Sequence, residues 1–559
     1  MRSWTAVPPR RLPVHAVVLA LAATAAACER PPECAGEYCG TLVFAAAREP
    51  DILLPPVTEM TLSRDIYDQI FLKLADVGPA LNTYGDDGFE PLLARSWEWE
   101  DSLTLAFRLD PRARWHDGRP VTAGDVAFTF AAYTDPAVNS PFRGVLQDIG
   151  SVIARDSLTA VFRFRRRHSE MFYDAVYHMR VLPAHLLHTV PYDRWATAEF
   201  GRQPIGNGPY RFVEWRSGAQ LELAADSTFF LGRPHIRRLI WRFVPDLQAA
   251  VSQLVAGEAD ALEFLGPPEN VRRVAAAPHL KTYPFASAIY TYLAFNLRAN
   301  GDTAQPHPLF GDRDVRLALA LATDRGRLLQ SVLGDLAKVP SGPMPQMWWL
   351  WELNVPAPPY NAERAAALLA RRGWRDSDGD GVRDKDGVTL AFRLMVPTTS
   401  GIRRQYAQLL QAQYRPLGVD VQIDEFEPAI LVERGTSGRF DAALVSWQTD
   451  PSPASSVTQT WTSAGIGRSN YGRYADAEFD DLVRRAAVAR PAQRRWVWTS
   501  ALRRLNDDVP GIWLFAPDNI AAVHARVADV RVRPDAWWTY VRTWRIPPDR
   551  LIERDRVER

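Results

Sequence analysis

The sequence predicts an α/β protein that is built from two or three domains and exported from the cytoplasm. Segments that alternate apolar and polar residues, as half-buried strands do, are followed by segments with helical spacing along most of the chain. The chain has 559 residues, of which 47% are hydrophobic, and this is enough to form several cores. A charged and then apolar N-terminus adds the prediction of export.

The N-terminus has the composition of a secretory signal. Three arginines precede the apolar run Val14–Ala27, which is too short to cross a bilayer as a helix. The run ends in three alanines before Cys28, and small residues directly before a cysteine resemble the lipobox of bacterial lipoproteins, although leucine is usual at its first position. We therefore expect Cys28 to be acylated and to hold the protein to a membrane face. The alternative is ordinary cleavage near Ala27, which leaves Cys28 as a free thiol.

The other two cysteines, Cys34 and Cys39, lie close together in the sequence. Disulfides persist in exported proteins, so we expect a bridge between them. Two cysteines cannot complete a tetrahedral zinc site, and no histidine pair lies nearby.

Composition and motifs exclude several classes of protein. The formal net charge of +1 gives no overall attraction to nucleic acid. No apolar run after Ala27 is long enough to span a membrane, and the chain has no GxxxxGK[ST] phosphate loop. It also has no GxSxG, HExxH or CxxC motif. The sequence therefore predicts neither a permease, nor an ATPase, nor an enzyme, and no cofactor is expected.

The segment Pro91–Tyr133 has the most informative order of local patterns. Leu103–Leu109 alternates as a strand does, and Trp115–Gly118 supplies turn residues after it. Thr122 stands three residues before Asp125, so the pair can cap the helix that follows.

Further segments continue the alternation of strands and helices. Pro204–Tyr210 contains Asn207 between two glycines, which permit unusual backbone angles and close backbone approach; a ligand contact and a plain hairpin turn are both open there. Asp246–Leu265 predicts a helix, a turn and a strand, and Ile289–Leu297 predicts another strand.

These segments, in this order, resemble bacterial extracellular solute-binding proteins of family 5, which are the dipeptide, oligopeptide and nickel receptors of ABC importers. The resemblance covers nearly all of Leu42–Ile546. It implies an α/β, two-lobed periplasmic-binding-protein fold that is type II-like, has an extra subdomain and holds its ligand in a cleft between the lobes.

The resemblance also implies domain boundaries. The chain is expected to cross between lobes near Asn296 and again near Gly511, and its polar tail is expected to be frayed. Three tryptophans, Trp348, Trp349 and Trp351, are expected to pack across a domain junction. The predicted units are a signal peptide 1–27, a lipoprotein linker 28–41, a lobe I core of 42–60, 201–295 and 513–546, an extra subdomain of lobe I at 61–200, lobe II at 296–512, and a tail at 547–559.

The candidate recognition segment is Phe440–Ser455, where a strand delivers polar residues at its C-terminal end, as is usual for ligand sites of open α/β sheets. In peptide receptors with a similar Trp-x-x-Asp pattern the aspartate holds the peptide α-ammonium, so the resemblance implies this role for Asp450. A carboxylate suits the role because charge-assisted hydrogen bonds are stronger than neutral ones. The alternatives are that Trp447 belongs to the core and that Asp450 caps a turn. The expected ligand contacts here are Ser446, Trp447, Gln448, Thr449 and Asp450.

The resemblance adds three contacts outside this segment: Asn207, Tyr292 and Asn296. One position departs from the family. Some oligopeptide receptors carry an arginine three residues before the tryptophan, where it meets the peptide's C-terminal carboxylate, whereas this chain has Leu444. The departure implies either dipeptide-like geometry or a different carboxylate anchor.

An acidic turn contains carboxylates at alternate positions, which is the spacing of calcium loops: Asp376, Asp378, Asp380 and Asp384. The twelfth position is Gly387, so the bidentate glutamate of an EF-hand is absent. We interpret the segment as a turn without a metal and keep a calcium loop as the alternative.

The resemblance implies that the protein captures a short peptide for an ABC permease and its ATPase subunits, working as a monomer attached to the cell envelope. Two alternatives are open. One is a sensor or adhesion lipoprotein of the same fold without transport. The other is an importer receptor for a non-peptide ligand such as a nickel chelate, haem, a sugar or an opine.

Overall fold

The computed structural model describes residues 38–556. The predicted signal peptide, Cys28 and Cys34 lie outside the described residues, so the acylation and the disulfide stay predictions. Cys39 is buried, with its Sγ atom 3.7 Å from the carbonyl oxygen of Ile546. Within residues 38–556, none of the helices has both the length and the apolar character that a membrane span requires.

The protein is built around β-strands, and the segments of alternating apolar and polar residues in the sequence correspond to strands. In chain order they are β1 Thr41–Ala46, β2 Ala75–Asp76, β3 Glu90–Pro91, β4 Ala94–Trp99, β5 Thr104–Leu109, β6 Ile149–Ala154, β7 Thr159–Phe164, β8 Tyr210–Arg216, β9 Gln220–Ala225, β10 Arg238–Phe243, β11 Ala261–Leu262, β12 Leu280–Ala286, β13 Ile289–Phe295, β14 Arg298–Ala299, β15 Asp302–Pro306, β16 Ala337–Lys338, β17 Asp384–Lys385, β18 Val388–Thr389, β19 Ala391–Pro397, β20 Asp420–Phe426, β21 Ala442–Gln448 and β22 Gly511–His524.

The α-helices cover the sheets, and most begin at a capping side chain or a proline. In chain order they are α1 Thr61–Ile70, α2 Ala123–Thr134, α3 Met171–Val176, α4 Ala184–Leu187, α5 Leu247–Val255, α6 Pro268–Ala275, α7 Arg313–Ala322, α8 Arg325–Val332, α9 Ala362–Arg371, α10 Gly401–Tyr414, α11 Pro428–Ser437, α12 Pro453–Trp461, α13 Ala477–Ala487, α14 Pro491–Asp508 and α15 Glu553–Arg556.

One long strand, β22, belongs to both halves of the largest sheet. Its first part, Gly511–Phe515, pairs with β13, and its last part, Asp518–His524, pairs with β12. On one side of β22 the strand order is β13-β21-β19-β20, and on the other side it is β11-β1-β10-β9-β8. Each half carries its own helices, so the protein has two lobes, as the sequence predicted. We call the half with β1 lobe I and the half with β13 lobe II.

The chain crosses between the lobes at two places that differ from the predicted ones. The first crossing is Ser287–Ala288, between β12 and β13, because β13 is paired along its whole length with β21 of lobe II. The second lies at Ala516–Pro517, inside β22. The predicted boundaries at 296 and 513 are corrected accordingly. Alternation in the sequence identified the strand Ile289–Leu297 but carried no information about its neighbours.

The extra subdomain is built on a four-stranded antiparallel sheet in the order β4-β5-β7-β6. Its helix α2 begins with the predicted capping pair. The Thr122 amide donates to Asp125 Oδ2 at 2.8 Å, and the Thr122 hydroxyl also donates to that oxygen. The carboxylate therefore neutralises free amide groups at the helix start.

The turn around Asn207 is a close contact between backbones. A Cβ atom on Gly206 would lie 1.9 Å from the carbonyl oxygen of Ile70, so only glycine fits. Neither glycine beside Asn207 has a positive φ, so close approach is the reason for glycine here. His116 of the preceding turn accepts a hydrogen bond from the Gly206 amide at 3.2 Å, which fastens the subdomain to this turn.

The C-terminal tail is docked as far as the structure describes it, which corrects the expectation of fraying. Asp555 is 4% exposed and accepts a hydrogen bond from the Thr41 amide at 2.7 Å. It also pairs with Arg526 at 2.6 Å, and Arg526 pairs with Asp260 at 2.8 Å. This buried network joins the first strand, the β11 turn and the C-terminus beneath lobe I.

Candidate ligand-binding cleft

A cavity of about 510 Å³ lies where the two lobes and the extra subdomain meet. Its size is within the range of about 300–1,000 Å³ that is typical of small-molecule sites. Ala288 and Asn519, which adjoin the two crossings, are among the residues that line it. A ligand in this cavity would therefore touch both lobes and the segments that connect them.

Lobe II contributes the end of β21 to the cavity wall. Gln448, Thr449 and Asp450, at the C-terminal end of this strand, line the cavity, and their contact with a ligand stays a prediction. The Thr449 amide donates to the carbonyl oxygen of Ala288 at 2.9 Å. This bond ties the recognition segment to the first crossing.

Asp450 is half-buried, and the protein satisfies only part of the hydrogen-bonding capacity of its carboxylate. Its Oδ1 accepts a hydrogen bond from the Ser452 amide at 2.8 Å, and its carbonyl oxygen accepts one from Trp348 Nε1 at 2.8 Å. Among the described residues, none donates to Oδ2. Burial raises the pKa of Asp450 to about 6. The group is therefore a carboxylate at neutral pH and has an oxygen free for a donor.

Three predicted contacts support the strand end and do not line the cavity. Trp447 Nε1 donates to the Tyr292 hydroxyl at 3.2 Å. Tyr292 is 2% exposed and packs on Trp461 with their rings 4.9 Å apart. Ser446 Oγ lies 2.7 Å from Thr291 Oγ1. These contacts favour the interpretation of Trp447 as a core residue, which the sequence had left open.

Lobe I contributes a wall that sequence analysis did not identify. Arg64 of α1, Glu263 after β11, and the neighbours Trp537 and Trp538 line the cavity. Burial raises the pKa of Glu263 to about 7. Asp65 lies beside it, and burial together with the charge of Glu263 raises the pKa of Asp65 well above its usual value.

The subdomain contributes Tyr177, His178 and Arg180. Burial lowers the pKa of His178 to about 3, so this imidazole is neutral at physiological pH. Arg180 is held by Asp68 through two hydrogen bonds of 2.7 and 2.9 Å. Neither side chain therefore offers a free charge to a ligand.

Contacts across the cleft connect the subdomain to lobe II. Glu170 is buried and accepts hydrogen bonds from Thr83 and Ser452, each at 2.6 Å. Trp498 of α14 donates from Nε1 to the Tyr84 hydroxyl at 3.1 Å. The structure thus holds the subdomain against lobe II beside Asp450.

Comparison with known proteins agrees with this architecture. Residues 88–469 match the family described as bacterial extracellular solute-binding proteins, family 5. This chain belongs to that family. Members are solute-binding receptors, which accords with a cavity between two lobes.

Two curated relatives in the family illustrate the similarity. The oligopeptide-binding protein AppA of Bacillus subtilis (strain 168) is 27% identical over 518 residues, which cover 89% of this chain and 91% of AppA. The di/tripeptide-binding protein 2 of Pseudomonas aeruginosa (strain UCBPP-PA14) is 28% identical over 470 residues, which cover 79% of this chain and 84% of that protein.

Solved structures show the same fold. B. subtilis AppA in complex with a nonapeptide superposes with a TM-score of 0.71 at 26% identity, covering 91% of this chain and 99% of that chain. The substrate-binding protein CtaP of Listeria monocytogenes superposes with a TM-score of 0.78 at 22% identity, covering 91% and 100%. The two-lobed periplasmic-binding-protein fold is therefore confirmed.

Two residues that the family resemblance had placed near the cleft are buried structural groups. Asn296 is fully buried, and its Nδ2 donates to the carbonyl oxygens of Gly438 and Phe440 at 3.0 and 2.8 Å. Asn207 is 1% exposed, and its Oδ1 accepts a hydrogen bond from the Leu72 amide at 2.8 Å. Neither lines the cavity, so both expectations of a ligand contact are corrected.

The acidic turn brings three of its four predicted oxygen ligands together. The carboxylates of Asp376, Asp378 and Asp380 lie within 4.8 Å of one another and are exposed. Asp384 instead accepts hydrogen bonds from the Ser377 hydroxyl. This arrangement fits the interpretation of the segment as a hydrogen-bonded turn.

The lobe I wall had no local signature that could have revealed it. Arg64 lies in an amphipathic helix beside Asp65, which is the ordinary composition of a solvated helix face. Trp537 and Trp538 come from the far end of the chain. Only tertiary structure brings these residues to one cavity.

Proposed function

We propose that this protein is the solute-binding receptor of an ABC importer, and that it captures short peptides in the interlobe cavity and delivers them to a membrane permease with its ATPase subunits. The observation that carries the proposal is the Asp450 carboxylate, which lines the cavity with Oδ2 free of hydrogen bonds from the described residues. An α-ammonium group would supply the missing donor and charge. Gln448 and Thr449 complete the proposed contacts on that wall.

Support for a peptide as the solute comes from the relatives. They are named as oligopeptide-binding and di/tripeptide-binding proteins, and they align with most of this chain. A non-peptide solute and a sensor without transport are the competing functions.

The protein would work as a monomer on the outer side of a membrane. We propose that Cys28 is acylated and anchors the chain, with ordinary cleavage near Ala27 as the alternative. Replacement Cys28→Ser should then release the protein into the periplasm or the medium. Membrane fractionation tests this, and a Cys28→Ser protein that stays membrane-bound would remove the anchor.

Native mass spectrometry tests the ligand class. The purified protein is stripped by denaturation and refolding, then mixed with unblocked dipeptides to pentapeptides. Retention of peptides by the wild type, and their loss in Asp450→Asn but not in the exposed control Glu433→Gln, is the expected result. A stripped wild type that retains no peptide from the mixture would contradict the proposal.

Transport is tested separately in the source bacterium. Deletion of the gene should abolish uptake of an isotope-labelled peptide that the purified protein binds. Uptake that is unchanged in the deletion strain would favour the sensor or adhesion function.

A further inference from the structure

One cation in the cavity wall forms no ion pair with any side chain that the structure describes. The lining includes Arg64, Arg180 and His178. Arg180 is paired with Asp68, and His178 is neutral at physiological pH. Within residues 38–556, no ion pair and no side-chain hydrogen bond is made by Arg64. Arg64 belongs to helix α1 of the lobe I side, whereas Asp450 belongs to lobe II.

The surroundings of Arg64 hold it in place without neutralising it. Its guanidinium lies over the ring of Trp538, 5.7 Å from the ring centroid, which is a cation–π contact. Asp65, Asp68 and Glu263 are the nearby acids and interact with Arg64 through their charges, but within the described residues none of them lies close enough to form an ion pair with it. Burial favours the protonated form of Asp65 and Glu263, so their negative charge at neutral pH is reduced.

Unsatisfied donors cluster at the same wall. Arg64 Nε and Trp538 Nε1 are buried and have no acceptor in the described part of the chain, whereas the Trp537 indole interacts with the Glu263 carboxyl. Buried N–H groups without acceptors are rare in folded proteins and are costly. The guanidinium of Arg64 and the neighbouring indole N–H of Trp538 therefore form a surface that lacks an anionic oxygen ligand.

We propose that Arg64 binds the C-terminal carboxylate of the peptide. The proposal rests on the proposed function and deepens it. The peptide lies with its ammonium at Asp450 and its carboxylate at Arg64, and the neighbouring indole N–H of Trp538 assists as the wall adjusts around the ligand. A guanidinium is suited to this because its planar fork matches a carboxylate with two parallel hydrogen bonds.

The cavity limits the length of such a peptide. Its volume of about 510 Å³ lies within the range of about 300–1,000 Å³ that is typical of small-molecule sites, and this favours a short peptide. Tyr177 also lines the cavity and is near both charged groups: burial and the charge of Asp535 raise its pKa, and the charges of Arg64 and Asp450 act on it in opposite directions. The two anchors therefore bracket a short span, and the substrate class is short peptides with both termini free.

A carboxylate anchor at Arg64 takes the place of the arginine that some oligopeptide receptors carry at the position of Leu444. This accounts for the leucine at that position. The side chain of Leu444 is fully buried in lobe II and carries no charge. With Arg64 in lobe I, the two peptide termini bind to different lobes. Each end then contributes to holding the lobes together.

The test is a comparison of peptide ends against variants by calorimetry. A tripeptide selected from the mass-spectrometry mixture is synthesised with a free and with an amidated C-terminus. Wild type should bind the amide about 10- to 100-fold more weakly, because a charge-assisted pair is lost. Arg64→Gln should weaken binding of the free peptide by the same factor and leave the amide almost unaffected.

Control variants distinguish failure of the Arg64 anchor from failure of the proposed peptide-binding function. Arg64→Lys should restore part of the affinity for the free peptide. Arg371→Gln, which changes an exposed arginine of α9, should leave the affinity for both peptides unchanged. If wild type binds both peptides equally, or if Arg64→Gln weakens both equally, the anchor is wrong although the peptide function stands. If wild type binds no peptide, the proposed function itself fails.

Discussion

At the scale of single residues, the cleft is defined by charged groups that the protein leaves partly unsatisfied. Among the residues that the structure describes, Asp450 has one carboxylate oxygen with donors and one without. Most other ionisable groups at the cavity are paired or neutral, as Arg180 and His178 show. This contrast is what distinguishes a ligand contact from a structural ion pair here.

Peptide affinity should depend on pH through Asp450. Its pKa in the empty protein is about 6, and an ammonium ligand requires the charged form. Below pH 6 the carboxyl must give up its proton to bind, so affinity should fall by about tenfold per pH unit. Calorimetry between pH 5 and 7 measures this; an affinity that is constant over that range would contradict the role of Asp450.

Asp450→Asn provides the matching mutational prediction. It keeps the shape of the side chain and removes its charge. Hydrogen bonds to charged groups contribute about 1.5–3 kcal/mol, so the peptide dissociation constant should rise about 10- to 100-fold. The melting temperature of the empty protein should stay nearly the same, because the replaced group is only half-buried. Glu433→Gln serves as the control.

At the scale of elements, local patterns could be predicted from the sequence and long-range neighbours could not. The capping pair Thr122 and Asp125 is a contact over three residues, and the structure confirms it. The end of β21 was placed at the cleft because strand ends collect ligands in open α/β sheets. In contrast, Asn296, which directly follows β13, was assigned to the cleft although it is buried against lobe II. The alternation of residues along a strand assigns them to its two faces, but it does not show which parts of the protein cover each face.

Glu170 should make stability depend on pH. Burial raises its pKa from 4.5 to about 7, so the folded state binds this proton more tightly than the unfolded state. Its contribution to stability is therefore fully present below pH 4.5, falls as pH rises towards 7, and is constant above that. The total change is about 3 kcal/mol by linkage.

Glu170→Gln removes this titration while keeping an amide that can bond to the hydroxyls of Thr83 and Ser452. The difference in unfolding free energy between variant and wild type should grow in favour of the variant as pH rises from 4.5 to 7. Urea denaturation at several pH values measures it, with Glu433→Gln as the control. A difference in unfolding free energy that is independent of pH would refute the raised pKa of Glu170.

A buried ion network closes lobe I, and it joins residues that are far apart in the chain. Asp260 pairs with Arg526 and accepts a hydrogen bond from the Val43 amide at 2.9 Å. Asp260→Asn would remove part of the negative charge that balances the buried Arg526. The variant should lose about 3–5 kcal/mol of stability, as is usual when one partner of a buried pair is removed. Thermal unfolding tests this, and a loss below 1 kcal/mol would contradict it.

At the scale of the whole molecule, two narrow crossings and one cleft suggest a hinge. Gln346 Nε2 donates to Ala516 and to Asp518 Oδ1, at 2.9 and 2.8 Å, and so braces the second crossing. Thr449 braces the first through the carbonyl oxygen of Ala288. Rotation at these segments would move each lobe as a unit.

Opening must also break the contacts between the subdomain and lobe II, which join residues far apart in the chain and could not be predicted from local patterns. They include the Ser452–Glu170 bond and the bond from Trp498 to the Tyr84 hydroxyl. A ligand that contacts both lobes favours the closed form, so it can shift the balance between open and closed forms.

The last prediction concerns this closure. In a stripped preparation, saturating peptide should reduce the radius of gyration measured by small-angle scattering, because ligand selects the closed form. It should also raise the unfolding free energy by about 2.7 kcal/mol when free peptide is about one hundred times its dissociation constant. Tyr84→Phe removes one closing bond, so its empty form should be more extended and its affinity lower than those of the exposed control Tyr360→Phe. A radius of gyration that peptide leaves unchanged, in a sample where calorimetry shows saturation, would rule out the closing cleft.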